Sequence, residues 1–406
     1  MVDDLRRKLL MISVDGLVPT VLGPYGSAWA TTPCLNQFAV GAIVFDQFWA
    51  DSGDPLQVIR SMLTGTHAQQ QLRRMAGREA TVAVSGCMRD AIVMADGPFA
   101  AFQQVDGVEL LAVPLDDSPD PSADLESTHL AGWTANGLRC LTDHSETDLL
   151  WFHTSSLLHR WDAPLQWREA LADDETLVPW DRVTPPQQAF GDADPPDELL
   201  RCIHAYAAQV QVLDACIGVL ARAAEDRTLV ITGTSGMAMG EHGWIGPGGA
   251  PLLSPRLHLP LLISDPTNAS TRCGRMVQPP DLTPTLQHVC GEDPESFADE
   301  RRWGRSLWPH LTPENWAIDD EPTDQVYGAE EGHTVWACRG WLYATHNHQE
   351  QLFLRPDDRF CVNDGWDRLP QLHAAVRQAR EHFEAALAAD DRERVVPLTE
   401  ELRERV

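Results

Sequence analysis

The sequence predicts an α/β fold: a largely parallel central sheet sandwiched by helices, with a small antiparallel α+β subdomain at the C-terminal end. Three observations lead there. Short apolar runs stop abruptly at small polar residues, as in Leu9–Val14 before Asp15-Gly16 and Thr228–Thr232 before Thr234-Ser235-Gly236. Buried strands that feed loops at the carboxyl edge of a sheet have this form. Glu198–Ala224 carries Leu199, Ile203, Tyr206, Val210, Leu213, Ile217 and Leu220 at intervals of three or four, the stripe of a long amphipathic helix. After Trp308 the pattern changes to short strand-like runs separated by turn residues.

Taken in order, Leu9–Val14 is the first strand. Thr32-Pro33 opens a helix through Ala39, with Thr32 as N-cap and Pro33 in the first turn. Ile43–Phe48 is the next strand, and Pro55–Leu63 a helix that closes on Thr64-Gly65. Thr81–Ser85 and Leu149–His153 are short strands. The long helix follows, then strands Thr228–Thr232 and Leu259–Ser264. In the last part, Thr334–Cys338, Leu342–Thr345 and Gln351–Leu354 read as strands and Leu369–Ala389 as a closing helix. The expected division is residues 1–310 and 311–406. Two acid- and proline-rich stretches, Asp116–Asp124 and Asp173–Asp197, are expected to be surface excursions without folded structure.

Composition narrows the function. The 406 residues carry 31 basic and 60 acidic side chains, a formal charge of −29, which disfavours nucleic acid as a partner. No run approaches the ~20 apolar residues of a membrane span. The start, MVDDLRRKLLMISV, reads as a strand lead-in rather than a signal peptide, so a cytoplasmic location is expected. The nine cysteines are scattered with no C-x-x-C spacing, which points to free thiols in a reducing compartment. Oligomeric state is not legible.

Residues 231–243, ITGTSGMAMGEHG, say most about lineage. Together with Val14-Asp15-Gly16-Leu17, Gly23-Pro24-Tyr25-Gly26, Thr32-Pro33, Thr64-Gly65, Leu158-His159-Arg160-Trp161-Asp162 and Asp281-Leu282-Thr283-Pro284-Thr285-Leu286, they resemble the sulfatases of the alkaline phosphatase superfamily. The order and spacing of these matches run through most of the chain. The resemblance implies the sulfatase-like α/β architecture. It also implies a nucleophile at the start of a helix, nine residues before the Thr of Thr64-Gly65, and a divalent cation held by carboxylates at strand ends.

This chain departs from that pattern at each working position. The nucleophile position is Pro55, which has no nucleophilic side chain. Ser52, three residues earlier, is the candidate nucleophile of a remodelled site, and Asp54 stands one residue out of register. Asp15 survives as a possible residual metal ligand, but Thr234 and Ser235 stand where the family has its second ligand pair. Hard cations require several oxygen ligands, and a lone carboxylate rarely holds one. The family's sulfate-contacting lysine aligns with Pro247. The chain has a single lysine, Lys8, but a bias toward arginine does not explain a proline.

Each remaining candidate has two readings. Asp15 is a ligand-site carboxylate or a solvated strand-end acid. Asp54 is a ligand-binding carboxylate or the N-cap of the helix that begins at Pro55. Arg60 and His67 bind an anion or sit exposed on a helix and turn. His159 contacts a leaving group, or is an exposed or structural histidine. Glu241-His242 suggests acid–base chemistry, although loop shaping is the better expectation. Thr234 and Ser235 donate to a bound oxyanion or cap their own loop. The function expected is a sulfatase-like protein without the usual ester hydrolysis, binding a small anion or a protein partner, with no cofactor. The alternatives are a hydrolase with a rearranged site and Ca²⁺, and a scaffold acting through its acidic loops.

Overall fold

The computed structural model describes residues 7–75, 82–84, 86–97, 102, 105–172, 177–191, 193–264, 271–293, 303–308, 324–355 and 357–403. Eight strands make the central sheet: β1 (Leu9–Asp15), β2 (Ala42–Trp49), β3 (Ile92–Asp96), β4 (Glu109–Val113), β5 (Leu149–Thr154), β6 (Thr228–Ser235), β7 (His258–Ser264) and β8 (Thr271–Val277). Their spatial order is β8-β2-β7-β6-β1-β5-β3-β4. Only β7 runs antiparallel to its neighbours; the other pairings are parallel. Every residue of β1 is buried, as a strand covered on both faces requires.

Side-chain alternation along β1 divides the core. Leu9 and Met11 face α2 (Pro55–Thr64) and α5 (Leu282–Val289). Leu10, Ile12 and Val14 face α1 (Pro33–Ala39), α3 (His129–Asp143) and α4 (Pro196–Ala223). The sheet is therefore sandwiched, and its carboxyl edge is left for a site. By length and composition α4 could cross a membrane, but 78% of its apolar window is buried inside the fold.

The C-terminal strands β9 (Gln325–Glu330), β10 (His333–Cys338), β11 (Trp341–His346) and β12 (Gln349–Leu354) form an antiparallel meander. One face sends Val326, Val335, Ala337, Leu342 and Phe353 into the same core as α2 and α5. The other packs Trp336, Trp341, Tyr343 and Leu352 against Val376, Phe383 and Leu387 of α6 (His373–Ala388).

Several local expectations are corrected. Strand β9 precedes the three foreseen, and β3, β4, β8, α3 and α5 were not foreseen. Of Thr81–Ser85, only Val82–Ala83 is a described strand, and it pairs with Val105–Asp106 outside the main sheet. Residues 81 and 85 lie outside the described residues. Strand β6 extends through Thr234 and Ser235, which therefore sit in the strand's end rather than in a loop.

Thr32 does not cap α1 with its side chain; its Oγ1 accepts from Gly23 N at 2.9 Å. Asp214 of α4 caps α1 instead, accepting from Cys34 N (3.0 Å) and Leu35 N (2.8 Å). The closing helix begins at His373, because Leu369–Leu372 fold as tight 3₁₀ turns led by Pro370. The stretch 173–197 is not a loose excursion where it is described: Trp180 and Val183 are buried. Arg168 anchors it, donating to the carbonyls of Trp161, Ala163, Trp180 and Arg182.

Candidate functional site

Adjacent strands β1 and β6 end together at the carboxyl edge. Their register shifts between Val14 and Asp15, so that Val14 pairs with Gly233 and Asp15 with Ser235. Thr234, skipped by that pairing, turns its hydroxyl onto Asp15 Oδ1. Ser235 Oγ accepts from Gly16 N at 3.0 Å. Gly16 has φ 79°, and a Cβ there would come within 2.7 Å of Met237 and Leu158, so only glycine fits.

On the other side of β1, strand β5 supplies His153. Its Nε2 lies 3.6 Å from Asp15 Oδ2. Its Nδ1 is 2.8 Å from Ser13 Oγ, and that hydroxyl accepts from Trp151 Nε1 at 2.7 Å. Ser13 therefore has its own proton to give to Nδ1, which leaves Nε2 as the protonated nitrogen facing Asp15. Burial disfavours charge on the ring. The charge and hydrogen bond of Asp15, with Asp96 behind, outweigh burial and raise the His153 pKa. Both Asp15 oxygens are thus engaged from within the protein.

Beyond this edge, a cleft of about 730 Å³ opens between the start of α2 and strands β9 and β10. Ser52, Asp54, Ser235, Pro247, Arg256 and Glu330 line it. Asp15 does not line it. Asp54 caps α2, its Oδ1 accepting from Leu56 N at 2.9 Å, and Ser52 Oγ accepts from Asp54 N at 3.1 Å. Burial, and less strongly Glu330, push the Asp54 pKa up. Arg256 pairs with Glu330 at 2.6 Å. Glu331 and His333 add to the cleft wall, and burial with the stacked His346 lowers the His333 pKa.

Other candidates lie elsewhere. Arg60 is half-buried on α2 and does not line the cleft. His67 is not exposed: it is fully buried, and its Nε2 donates to Tyr327 O at 3.0 Å. Burial lowers its pKa to about 3, so it is neutral. His159 is exposed and does not line the cleft. Glu241 accepts from Met239 N, while His242, with φ 54°, donates to Phe360 O at 2.9 Å. The sequence reading missed His153, Arg256, Glu330 and the buried Asp51, all of which depend on which strands become neighbours. Asp51 Oδ2 accepts from Ser61 Oγ (2.6 Å) and Ala68 N (2.8 Å), and burial pushes its pKa up to about 7.

A divalent cation does not fit this arrangement. Among the described residues no three His, Cys, Asp or Glu side chains form a group able to hold a metal. Asp15 ends β1 at this edge with a hydroxyl on one oxygen and an imidazole 3.6 Å from the other, and Asp54, which feels its charge, is tied to the start of α2.

No family model matches the chain, and no curated protein does. Solved structures do. A protein crystallised with its substrate D-glucosamine-2-N,6-O-disulfate is 14% identical, with a TM-score of 0.71 over 96% of this chain and 99% of that one. The phosphonate monoester hydrolase of Agrobacterium radiobacter is 15% identical, with a TM-score of 0.70 over 95% of this chain and 96% of that one. A 2-O GAG sulfatase is 14% identical, with a TM-score of 0.71 over 97% and 95%. This is the sulfatase fold. On the sulfatase fold, the cleft at Pro55 and Pro247 stands where the resemblance puts the nucleophile and the sulfate contact. Asp15 and Thr234, two of the positions that the resemblance aligns with metal ligands, meet at the β1–β6 edge.

Proposed function

We propose that this sulfatase-fold chain recognises a ligand or partner at its cleft without hydrolysing sulfuric or phosphoric esters by the metal-assisted covalent route. The observation that carries this reading is that Asp15 is held from within, with Thr234 on one oxygen and His153 3.6 Å from the other. A metal-assisted nucleophile needs an open coordination position, and a covalent route needs a hydroxyl or thiol at the helix start. Pro55 supplies neither.

The cleft's charge supports the same reading. Asp54, Glu330 and Glu331 face a single paired arginine, Arg256. That balance turns a sulfate ester away. It suits a partner that presents hydroxyl groups or basic side chains.

The test is turnover of 4-nitrophenyl sulfate, 4-nitrophenyl phosphate and a phenyl phosphonate ester in the presence of Ca²⁺, Mn²⁺ or Zn²⁺. The expected result is no rate above buffer for the wild type. A measurable rate that disappears in Asp15→Ala would replace this reading with that of an active hydrolase whose site has been rearranged.

A further inference from the structure

A second cavity, of about 230 Å³, lies on the other side of the Ser254–Arg256 segment from the cleft. Its apolar wall includes Val18, Pro19, Met237 and Phe360. Its polar groups are unusual. Arg355 lines it while being only 3% exposed. The guanidinium lies 4.7 Å over the Trp49 ring, and its Nη1 donates to Ser254 Oγ at 2.8 Å. Its remaining partners, the Arg359 carbonyl and the Cys361 sulfur, are also neutral, since burial pushes the Cys361 thiol up. Among the described residues no carboxylate forms an ion pair with it, and Asp358 supports its charge without contact.

The nearby acids make their hydrogen bonds and ion pairs elsewhere, although the charge of Asp358 acts on Arg355. Asp46 is paired with Arg272. Glu241 accepts from Met239 N. Asp358 accepts from Val362 N (2.9 Å) and Asn363 N (2.7 Å). His258, stacked on Trp49, donates its Nε2 proton to Asp46 O at 2.8 Å, and burial with the Arg355 charge lowers its pKa to about 4. It adds no charge at neutral pH. Three arginines (272, 355 and 359) thus line the cavity against two carboxylates, Asp46 and Glu241, while Asp358, which does not line it, offsets part of the charge of Arg355. An arginine cannot shed that charge by deprotonating, and a buried charge is costly until it is paired.

We propose that this cavity is a binding site for a small organic anion, whose carboxylate or phosphate group pairs with Arg355 and Arg359 while an apolar body lies against Val18, Pro19, Met237 and Phe360. The volume corresponds to roughly eight waters at ~30 Å³ each, the size of a small aromatic or short acyl acid. Arg359 is exposed, with its guanidinium 4.6 Å over the Phe360 ring, so it closes the anion from the solvent side. The site lies outside the cleft and does not depend on whether that cleft hydrolyses esters.

Isothermal titration of the full chain with benzoate, phenyl phosphate, inorganic phosphate and neutral benzyl alcohol tests the proposal. Benzoate or phenyl phosphate should bind at one site, and which of the two is tighter tells carboxylate from phosphate. Benzyl alcohol and inorganic phosphate should each bind at least about tenfold more weakly, for lack of the charge or of the apolar body. Arg359→Ala, an exposed substitution, should weaken the aryl anion about tenfold. Arg355→Gln, checked for folding by circular dichroism, should abolish binding. Asp15→Ala should leave it unchanged. No binding of either aryl anion to the wild type overturns the site, and so does binding that both arginine variants retain. Turnover of 4-nitrophenyl sulfate alongside intact benzoate binding would remove the non-hydrolytic reading and leave this one standing.

Discussion

The Asp15 edge and the Arg355 cavity each bury a charged side chain, and they treat it in opposite ways. Asp15 has Thr234 on one oxygen and His153 facing the other. Arg355 has a hydroxyl, a carbonyl, a thiol and an aromatic face, with the Asp358 charge acting on it but no carboxylate in contact among the described residues. A third buried group, Asp51, shows another solution. It lacks a basic partner among the described residues and instead has a pKa pushed up to about 7, so that it is protonated below that pH. A carboxyl can find a partner or take a proton, whereas a guanidinium can only find a partner. The difference sets the Asp15 edge, held from within, apart from the arginine cavity, where a buried charge has no contacting carboxylate among the described residues.

The largest expected effect breaks the Asp15 side of this comparison. Removing the Asp15 carboxylate leaves the buried Thr234 hydroxyl and His153 N–H without their acceptor, so Asp15→Ala should cost about 3 kcal/mol in urea unfolding. Arg355→Gln removes a charge with no carboxylate partner, and in ligand-free protein it should cost less than about 1 kcal/mol. Equal losses would remove the contrast.

The Asp51 case is read through pH. Its folded pKa lies above its unfolded one, so the folded state holds a proton that the unfolded state releases between pH 3.8 and about 7. Its stabilising contribution is complete below pH 3.8 and is lost as pH rises to about 7. At its steepest the slope is about 1.4 kcal/mol per pH unit. Melting temperatures of wild type and Asp51→Asn between pH 4 and 7.5 should converge at low pH and separate above it, with the variant the more stable at pH 7.5. His67 acts in the other sense, because burial lowers its pKa and its contribution fades as pH falls from 6.5 toward about 3. A wild-type profile with no component that Asp51→Asn removes would count against a protonated Asp51.

A small effect is also expected at Asp54, an acid of the open cleft. It acts as an N-cap, so Asp54→Ala should cost about 1 kcal/mol in urea unfolding. A loss as large as that of Asp15→Ala would mean that Asp54 is tied into the buried cluster rather than into the cap.

What was legible in the sequence is what short stretches of chain decide. The strand at Leu9–Val14, the α2 start at Asp54-Pro55 and the long stripe of α4 are local patterns of apolar spacing, capping and backbone restriction, and the structure holds all three. The strands β3, β4 and β8 were harder, because short apolar runs in this chain do not differ from segments of buried helix. His67 was misread for the same reason: its neighbours look like a turn, and only Tyr327, 260 residues away, explains its burial.

By itself, then, the sequence determined the α/β architecture and the absence of a nucleophilic side chain at position 55, since periodicity and residue identity are properties of the chain alone. Tertiary structure decided how each buried charge is met. His153 reaches Asp15 because β5 and β6 both flank β1, and strand order is not written in any single segment. Arg355 has no carboxylate in contact among the described residues because Asp46, Glu241 and Asp358 make their bonds elsewhere, and electrostatic pairing depends on distances that exist only once the chain is folded.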